Sequence, residues 1–230
     1  MAHSVYKYRT GEAYPHCYKY PQVALTADCV TFSFDGKNLY VLLIRRGGEP
    51  FKGCWAFPGG FVNPDETAEE GARRELREET SLEAEYFEQI KVFSAPDRDP
   101  RQRTVTVPFI VLSSHTNVVA SDDAAQAKWF PVDQLPDLAF DHKQIFEEAR
   151  AALKRSLYFN PVAYYLLPQR FTMPQLQRLH EIIMDCKFDR RNFARKMNSL
   201  SILEEEERSQ GMPRRMASIF SFKKDKLLLP

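Results

Sequence analysis

Residues Gly60–Leu82 read GFVNPDETAEEGARRELREETSL, and the rest of the chain is interpreted outward from them. Thr67 and Glu70 have the spacing of a capping box, in which two side chains satisfy the free N–H groups at a helix start. Small and apolar residues then recur every four positions over Ala68–Leu76, which is the period of one buried helix stripe. The stretch therefore predicts a loop followed by one amphipathic helix.

The polar face of this predicted helix is strongly acidic. Glu75, Glu78 and Glu79 stand at i, i+3 and i+4, so their carboxylates share a face and repel one another by about a few tenths of a kcal/mol per pair. A hard divalent cation such as Mg²⁺ binds carboxylate and phosphate oxygens and would relieve this repulsion. We take the three glutamates as candidate Mg²⁺ ligands; the alternative is a solvated acidic surface. Arg74 and Glu66 are placed to form an ion pair between helix and loop.

The complete spacing is a glycine, five residues, Glu66, seven residues and then RELREETSL over Arg74–Leu82. This pattern resembles the Nudix box. The resemblance implies an α/β fold, the Nudix α/β/α sandwich with a mixed sheet, in which the box glutamates hold metal. It also makes Glu79 the candidate catalytic base if the protein hydrolyses its ligand. Ser81 replaces the family's glycine at an expected left-handed helix end, at a cost on the order of 1 kcal/mol, and removes no carboxylate.

The composition is that of a soluble globular chain, with 43% hydrophobic and 27% charged residues and a net charge of +1. The N-terminal segment contains no apolar run of signal-peptide length, and no stretch approaches the ~18 apolar residues of a membrane span. We therefore expect a cytoplasmic protein with no membrane partner. The four cysteines show neither metal-ligand pairs nor a disulfide framework, which favours free thiols.

The net charge hides a difference between two parts of the chain. Residues 1–159 carry 19 Lys and Arg against 23 Asp and Glu, a net of −4, whereas residues 160–230 carry 13 against 8, a net of +5. A basic segment after an acidic one indicates two domains and makes nucleic acid a candidate partner of the second. We place the first domain at residues 1–157 and the second at residues 158–230.

β-rich runs flank the box on both sides. The predicted strands are Val23–Phe34, Leu39–Arg45, Tyr86–Phe93, Thr104–Leu112 and Ala127–Phe130. The first two should pair across a two-residue turn at Asp35 and Gly36. Lys143–Leu157 has the apolar period of a helix, which would close the sandwich.

Arginines at a strand end and in a later loop are candidates for binding the phosphates of a ligand. Arg45 and Arg46 end the second predicted strand, and residues 94–103 read SAPDRDPRQR. This loop resembles the one after the box in Nudix proteins of the ADP-ribose pyrophosphatase type; solvated arginines or a surface ion-pair network are the alternatives. The candidate ligand-binding residues are Arg45, Arg46, Trp55, Gly59, Gly60, Arg98, Asp99 and Arg101.

No glutamate occurs in the sequence between Gln89 and Phe146. Nudix enzymes that cleave ADP-ribose often supply a catalytic glutamate from a loop beyond the box, so this absence weakens the case for hydrolysis. An aspartate in that stretch, or Glu79 itself, remains available as the base.

The second domain carries signals for two short helices. Thr172 is a candidate N-cap with a proline in the following turn, and Asp189 is a candidate N-cap for a second helix over Arg190–Asn198. Two short helices with a tight turn and a basic second helix are typical of a helix-turn-helix, although a basic face alone is usually solvated. Predicted strands at Ser201–Glu205 and Ala217–Phe222 would form a wing. The candidate DNA-binding residues are Arg190, Arg191, Asn192, Arg195, Lys196, Arg214 and Arg215.

Together with the box, the segments FTMPQLQ at Phe171–Gln177 and DRRNFARK at Asp189–Lys196 resemble the Nudix-related transcriptional regulator family. The resemblance implies a C-terminal winged helix-turn-helix domain and ADP-ribose as effector of the Nudix domain. It further implies a homodimer that represses NAD synthesis or salvage genes from a palindromic double-stranded operator. The alternatives are a Mg²⁺-dependent ADP-ribose pyrophosphatase, whose second domain serves dimerisation, and a regulator that senses a sugar.

Overall fold

The computed structural model describes residues 22–113, 124–159, 162–206 and 218–227. The strands of the first part are β1 (Ala24–Phe34), β2 (Leu39–Arg46), β3 (Trp55–Ala56), β4 (Gly59–Phe61), β5 (Tyr86–Gln89), β6 (Thr104–Leu112) and β7 (Ala124–Pro131). Its helices are α1 (Ala68–Thr80) and α2 (His142–Phe159). All the strands and helices predicted for this part form, although β5 is shorter than predicted and β7 is longer.

β1 lies at the centre of one mixed sheet. It pairs in parallel with β6 and antiparallel with β2 and β4; the sheet extends through β2 to β3 and β7, and through β6 to β5. Side chains alternate between its faces, since Leu42 and Val111 pack with α1 whereas Leu43 and Ile110 pack with α2. The predicted α/β/α sandwich with a mixed sheet is therefore confirmed.

α1 begins and ends as predicted. The Thr67 hydroxyl accepts a hydrogen bond from the Glu70 N–H at 3.2 Å, and the Glu70 carboxylate accepts one from the Thr67 N–H at 2.7 Å. Ser81 ends the helix in the left-handed conformation, at φ 57°. The capping box and the replaced glycine thus occupy the positions that the sequence indicates.

The turn between β1 and β2 differs from the prediction by one residue. The Asp35 N–H donates to the Asn38 carbonyl at 3.3 Å, so the central residues are Gly36 and Lys37 rather than Asp35 and Gly36. The Asp35 carboxylate accepts from the N–H groups of Lys37 and Asn38, at 2.8 and 2.7 Å. This side-chain turn moves Asp35 to the first position and leaves Gly36 at φ 95°.

The second part of the chain contains α3 (Val162–Leu166), β8 (Phe171–Thr172), α4 (Met173–Met184), α5 (Arg190–Ser199), β9 (Leu203–Glu205) and β10 (Ile219–Phe222). The side chains of Thr172 and Asp189 cap α4 and α5 as predicted. β10 pairs antiparallel with β9 and also with β8, a strand that sequence analysis missed. A winged helix-turn-helix domain is therefore confirmed, while Arg214 and Arg215 of the predicted wing lie outside the described residues.

One hydrophobic core runs through both parts of the chain. Phe32 and Ile145 of the sandwich belong to the same buried cluster as Leu166, Leu176 and Phe193 of the winged helix. The winged helix is thus packed onto the sandwich rather than tethered to it. No helix within the described ranges has the length and apolar character needed to span a membrane.

Polar contacts also join α4 to the sandwich. Arg178 Nε donates to the carbonyl of Lys37 in the β1–β2 turn at 3.0 Å, and Lys154 Nζ of α2 donates to the carbonyl of Met184 at 2.9 Å. A cleft of about 340 Å³, lined by residues of both parts, lies beside these contacts. α4 is therefore hydrogen-bonded to two separate elements of the sandwich, the β1–β2 turn and α2.

Candidate functional site

Arg74 ties the loop of the box to its helix. Its guanidinium donates to the Glu66 carboxylate at 2.7 and 3.0 Å, to Glu75 at 2.7 Å and to Glu78 at 3.2 Å. It also donates to the Phe61 carbonyl of β4 at 3.0 Å. The predicted ion pair between Arg74 and Glu66 forms, and the same guanidinium orders two of the candidate metal ligands.

Glu79 lies deeper than the other box glutamates. Its carboxylate accepts a hydrogen bond from the Gly59 N–H at 2.9 Å. Burial raises the pKa of Glu79 to about 8, and the negative charges of Glu75 and Asp28 contribute to the rise. Burial also raises the pKa of Glu75. Two neighbouring carboxyl groups whose ionisation is opposed are typical of a site that binds a cation or transfers a proton.

The box implies a bound divalent cation, and the donors present fit one. Glu75, Glu78 and Glu79 offer only oxygen ligands, which Mg²⁺ prefers, and a cation favours the ionised carboxylates that burial opposes. Within the described ranges, no three acidic, His or Cys side chains already converge on one point. Glu75 and Glu78 face Arg74, and Glu79 faces Gly59, so these side chains would turn toward a bound cation.

Gly59 and Gly60 bring β4 into direct contact with its neighbours. A side chain at Gly59 would collide with the backbone of Ala27 and Asp28, and a Cβ at Gly60 would lie 2.5 Å from a carboxylate oxygen of Glu75. Gly59 therefore requires glycine, whereas a side chain at Gly60 would have to displace the Glu75 carboxylate from the acidic face of α1.

A buried polar cluster behind Gly59 was missed by sequence analysis. The Asp28 carboxylate accepts a hydrogen bond from the Thr106 hydroxyl at 2.5 Å and lies 3.7 Å from His142 Nε2. His142 Nδ1 accepts from the Phe57 N–H at 3.0 Å, which places the imidazole proton on Nε2. Burial lowers the pKa of His142 despite the carboxylate, so the ring is neutral at pH 7. Asp28 and His142 are far apart in the chain, and no local motif connects them.

Arg46 and Arg101 lie over the same aromatic ring. Their guanidinium carbons are 4.7 and 5.9 Å from the ring centroid of Phe140, and that of Arg101 is 5.3 Å from the centroid of Phe61. Phe51 packs edge-on against Phe140, with centroids 4.7 Å apart. Burial lowers the pKa of Arg46, and the charge of Arg101 lowers it further. Two cations held close together on aromatic faces are suited to binding a phosphate group.

Two arginines of the 94–103 loop form ion pairs, Arg98 with Asp141 and Arg101 with Asp99. Arg98 is buried and donates to both carboxylate oxygens of Asp141, at 2.7 and 2.9 Å. Asp99 is also buried and accepts from Arg101 at 2.7 Å, while the Arg101 side chain remains 40% exposed. Both arginines are therefore ion-paired, but Arg98 is enclosed by the protein, whereas Arg101 is exposed enough to contact a ligand.

Arg45 and Trp55 are paired across β2 and β3, beside Arg46. Arg45 is exposed, and its Nε donates to the Gly53 carbonyl at 3.0 Å. The Trp55 ring packs edge-on against Phe130 of β7, with centroids 4.8 Å apart. Arg45 and Trp55 therefore each have a defined partner within the sandwich.

α5 presents a basic surface to solvent. Phe193 is buried against the core, and Arg195 donates to the Asn192 side chain at 2.8 Å. The exposed side chains on this helix include Arg190, Arg191, Asn192, Arg195 and Lys196. A helix with this composition can contact both DNA phosphates and base edges.

The chain matches two family models. The NUDIX domain covers residues 23–149, and the NrtR DNA-binding winged helix domain covers residues 163–222. The chain is 33% identical to the ADPR responsive transcriptional repressor NtrR of Acinetobacter baylyi, over 88% of this chain and 83% of that protein. It is 45% identical to the ADP-ribose pyrophosphatase of Methanocaldococcus jannaschii, over 49% of this chain and 66% of that enzyme.

Solved structures show the same likeness through both domains. The crystal structure of Shewanella oneidensis NrtR complexed with a 27mer DNA has a TM-score of 0.74 and 32% identity, covering 88% of this chain and 94% of that one. The NUDIX domain of that protein complexed with ADP ribose has a TM-score of 0.54 and 37% identity, covering 58% and 90%. With a NUDIX domain and an NrtR winged helix in one chain, and a repressor matched over most of its length, this protein belongs to the NrtR family of Nudix-related transcriptional regulators.

Proposed function

We propose that this protein represses NAD synthesis or salvage genes, and that ADP-ribose bound to the Nudix domain releases operator DNA from the winged helix. One observation carries the proposal: the sandwich that carries the Nudix box and two clustered arginines shares its hydrophobic core with a helix that exposes a basic face. The relative from Shewanella oneidensis was crystallised with DNA and, as its NUDIX domain, with ADP ribose.

The effector is held chiefly through its diphosphate. Arg46 and Arg101 supply positive charge, and Gly59 with Gly60 allows close approach to the acidic face of α1. The ADP-ribose-binding residues are Arg45, Arg46, Trp55, Gly59, Gly60, Arg98, Asp99 and Arg101. Of these, Arg98 acts indirectly, because its guanidinium is occupied by Asp141 and anchors the loop.

Mg²⁺ accompanies ADP-ribose in this proposal. Glu75, Glu78 and Glu79 hold it, since their carboxylates share the face of α1 next to Gly60. When bound, the cation offsets the charge of the diphosphate.

Operator binding belongs to residues 158–230, and effector binding to residues 1–157. A homodimer would place two copies of α5 in successive major grooves of a palindromic double-stranded site. On each half-site, we assign base and phosphate contacts to Arg190, Arg191, Asn192, Arg195 and Lys196. We assign further phosphate contacts to Arg214 and Arg215. We assign the protein to the cytoplasm, where such an operator is accessible.

Release requires the effector to bind one arrangement of the dimer more tightly than another, because only differential affinity shifts such an equilibrium. The contacts of α4 with the β1–β2 turn and with α2 supply a route by which the Nudix domain moves the winged helix.

A gel shift with the promoters of this chain's own gene and its neighbours tests the proposal. We expect a sequence-specific complex at moderate salt that ADP-ribose dissociates and AMP does not. Failure to form any specific complex would contradict the repressor function, and release by pentoses alone would indicate a sugar sensor.

Hydrolysis of ADP-ribose is the second candidate function. It is supported by Glu79, whose pKa of about 8 suits proton transfer near neutral pH, and by the likeness to the archaeal pyrophosphatase. Steady-state assays with ADP-ribose and Mg²⁺ would show turnover that Glu79→Gln abolishes. Equal rates for the two proteins at the level of the uncatalysed reaction would exclude this activity.

A further inference from the structure

The turn between α4 and α5 is held by one residue of α4. Glu181 Oε1 accepts a hydrogen bond from the Phe188 N–H at 3.1 Å, and Glu181 Oε2 accepts one from Lys187 at 3.0 Å. The backbone carbonyl of Glu181 accepts from the N–H groups of Asp185 and Cys186. Each residue of the turn therefore donates to Glu181.

Gln177, one helical turn earlier on α4, completes this arrangement. Its amide donates to Glu181 Oε1 at 3.0 Å and to the Phe188 carbonyl at 2.9 Å. Both polar groups of the Phe188 backbone are thus bound by side chains of α4, immediately before Asp189 caps α5. We refer to Gln177 and Glu181 as the turn clamp.

The turn clamp is largely shielded and remains ionised. The Glu181 side chain is 10% exposed, whereas that of its ion-pair partner Lys187 is 77% exposed. The hydrogen bond from Gln177 lowers the pKa of Glu181 to about 2, with the Phe188 N–H and Lys187 adding to the effect. Hydrogen bonds to an ionised acceptor are stronger than those between neutral groups.

The aromatic contacts between α4 and α5 do not by themselves fix the orientation of α5 relative to α4. The ring of Phe193 lies 5.2 Å from that of His180 and 5.5 Å from that of Phe188, measured between centroids. Apolar packing of this kind holds the helices together but is non-directional. The hydrogen bonds of the turn clamp depend on angle, so they define how α5 leaves the turn.

We propose that Glu181, with Gln177, is a positioning residue for DNA recognition, because the turn clamp fixes the direction of α5 against α4. The inference rests on the proposed function as an operator-binding protein. Base contacts tolerate little displacement, whereas contacts of Lys and Arg with phosphates tolerate more. Loss of the turn clamp therefore lowers operator affinity more than non-specific affinity.

The turn clamp also joins the two helices into one moving unit. Glu181 lines the cleft shared with the sandwich, as do Leu39 and Val132, and Arg178 on the same helix donates a hydrogen bond to the carbonyl of Lys37 in the β1–β2 turn. When the Nudix domain displaces α4, α5 therefore moves with it, because the turn clamp keeps the relative orientation of the two helices.

Fluorescence anisotropy on the full chain tests the inference, using a duplex footprinted on its own promoter and a shuffled duplex of equal length. Glu181→Ala should weaken operator binding by about tenfold, the effect of losing a hydrogen bond to a charged group. Binding to the shuffled duplex, its salt dependence and the affinity for ADP-ribose should stay unchanged. Glu181→Gln, which keeps an acceptor for Phe188, should restore most of the affinity, and Lys187→Ala should change it less than about twofold.

Gln177→Ala gives an independent test that keeps the carboxylate. It should weaken operator binding, and the double variant should bind no more weakly than Glu181→Ala, because both side chains hold the same peptide. Wild-type affinity in both single variants, or equal losses on both duplexes, would overturn the inference. If the wild-type chain itself shows no specific binding, the proposed function fails instead.

Discussion

Ionisation of Glu79 destabilises the fold. Because its pKa in the folded protein is about 8, above the ordinary value of 4.5, the folded state retains a proton that the unfolded state has lost. Stability should therefore fall as pH rises between these values. Glu79→Gln should reduce this loss of unfolding free energy by up to a few kcal/mol, at ~1.4 kcal/mol per pKa unit at most. Urea unfolding at pH 5, 7 and 9 measures the difference.

Glu78→Gln is the matched control, because the Glu78 side chain is 56% exposed on the same helix. It should keep the wild-type dependence on pH. An unchanged pH dependence in Glu79→Gln would mean that this carboxyl group ionises normally.

Mg²⁺ affinity should rise as the pH increases from 4.5 to about 8, the range over which Glu79 keeps its proton only in the folded protein. A cation binds the ionised carboxylates, so at pH 6 it must displace the proton that burial retains on Glu79. Calorimetry with Mg²⁺ in buffers of different ionisation enthalpy should detect proton release at pH 6 and little above pH 9. A constant affinity, with no proton release, would place the cation away from Glu79.

Arg74 should contribute more to stability than other arginines of α1. Lysine keeps the charge but cannot donate to Glu66, Glu75 and the Phe61 carbonyl together. Arg74→Lys should lower the free energy of unfolding by about 2 kcal/mol. The thermal midpoint should fall by roughly 4–8 °C. Calorimetry of the exposed control Arg77→Lys should show a change under about 0.5 kcal/mol.

At the level of elements, α5 is expected to dominate operator binding. Arg191→Ala removes an exposed cation from its basic face and should weaken operator binding by about tenfold. Anisotropy titrations at several salt concentrations will show whether the salt slope also falls by about one, which identifies a phosphate contact. Arg155→Ala removes an exposed cation of α2 that is paired with Glu148, and this variant should bind as wild type. Equal losses in both variants would indicate only a general charge effect.

Helix boundaries were predictable because their signals are local. Thr67, Thr172 and Asp189 each cap a helix with the residue three positions later, and that spacing is visible in the sequence. β8 was missed because a two-residue strand has no period, and it exists only through pairing with β10. The β1–β2 turn was predicted one residue early, because the Asp35 carboxylate accepts hydrogen bonds from the N–H groups of Lys37 and Asn38. Such a side-chain turn is not specified by the Asp-Gly pair alone.

The candidate site was predictable to the extent that it lies on one helix. The acidic face of α1 and its ion pair with Glu66 follow from spacing alone. Asp28 and His142 come from the central strand and the start of α2, and only the folded sheet brings them together. Likewise, the pairing of Arg98 with Asp141 depends on the path of two loops, which no sequence pattern specifies.

The whole molecule should unfold in one step. Its two domains share a continuous core, so neither can lose its packing without exposing apolar surface of the other. Calorimetry should show a single transition, and saturation with ADP-ribose at 100 times its Kd should raise the free energy of unfolding by about 2.7 kcal/mol across that transition. Two transitions, of which only the first responds to ADP-ribose, would show that the domains are independent.

The shared core also restricts how a regulator of this type can be re-engineered. Leu166 and Leu176 pack in the same cluster as Phe32 and Ile145. Grafting this winged helix onto a foreign receptor would therefore expose aggregation-prone apolar surface on both fragments. The DNA-reading half is not an interchangeable cassette. A biosensor with a new specificity is better built by mutating the ligand-facing residues inside the intact chain than by gene fusion.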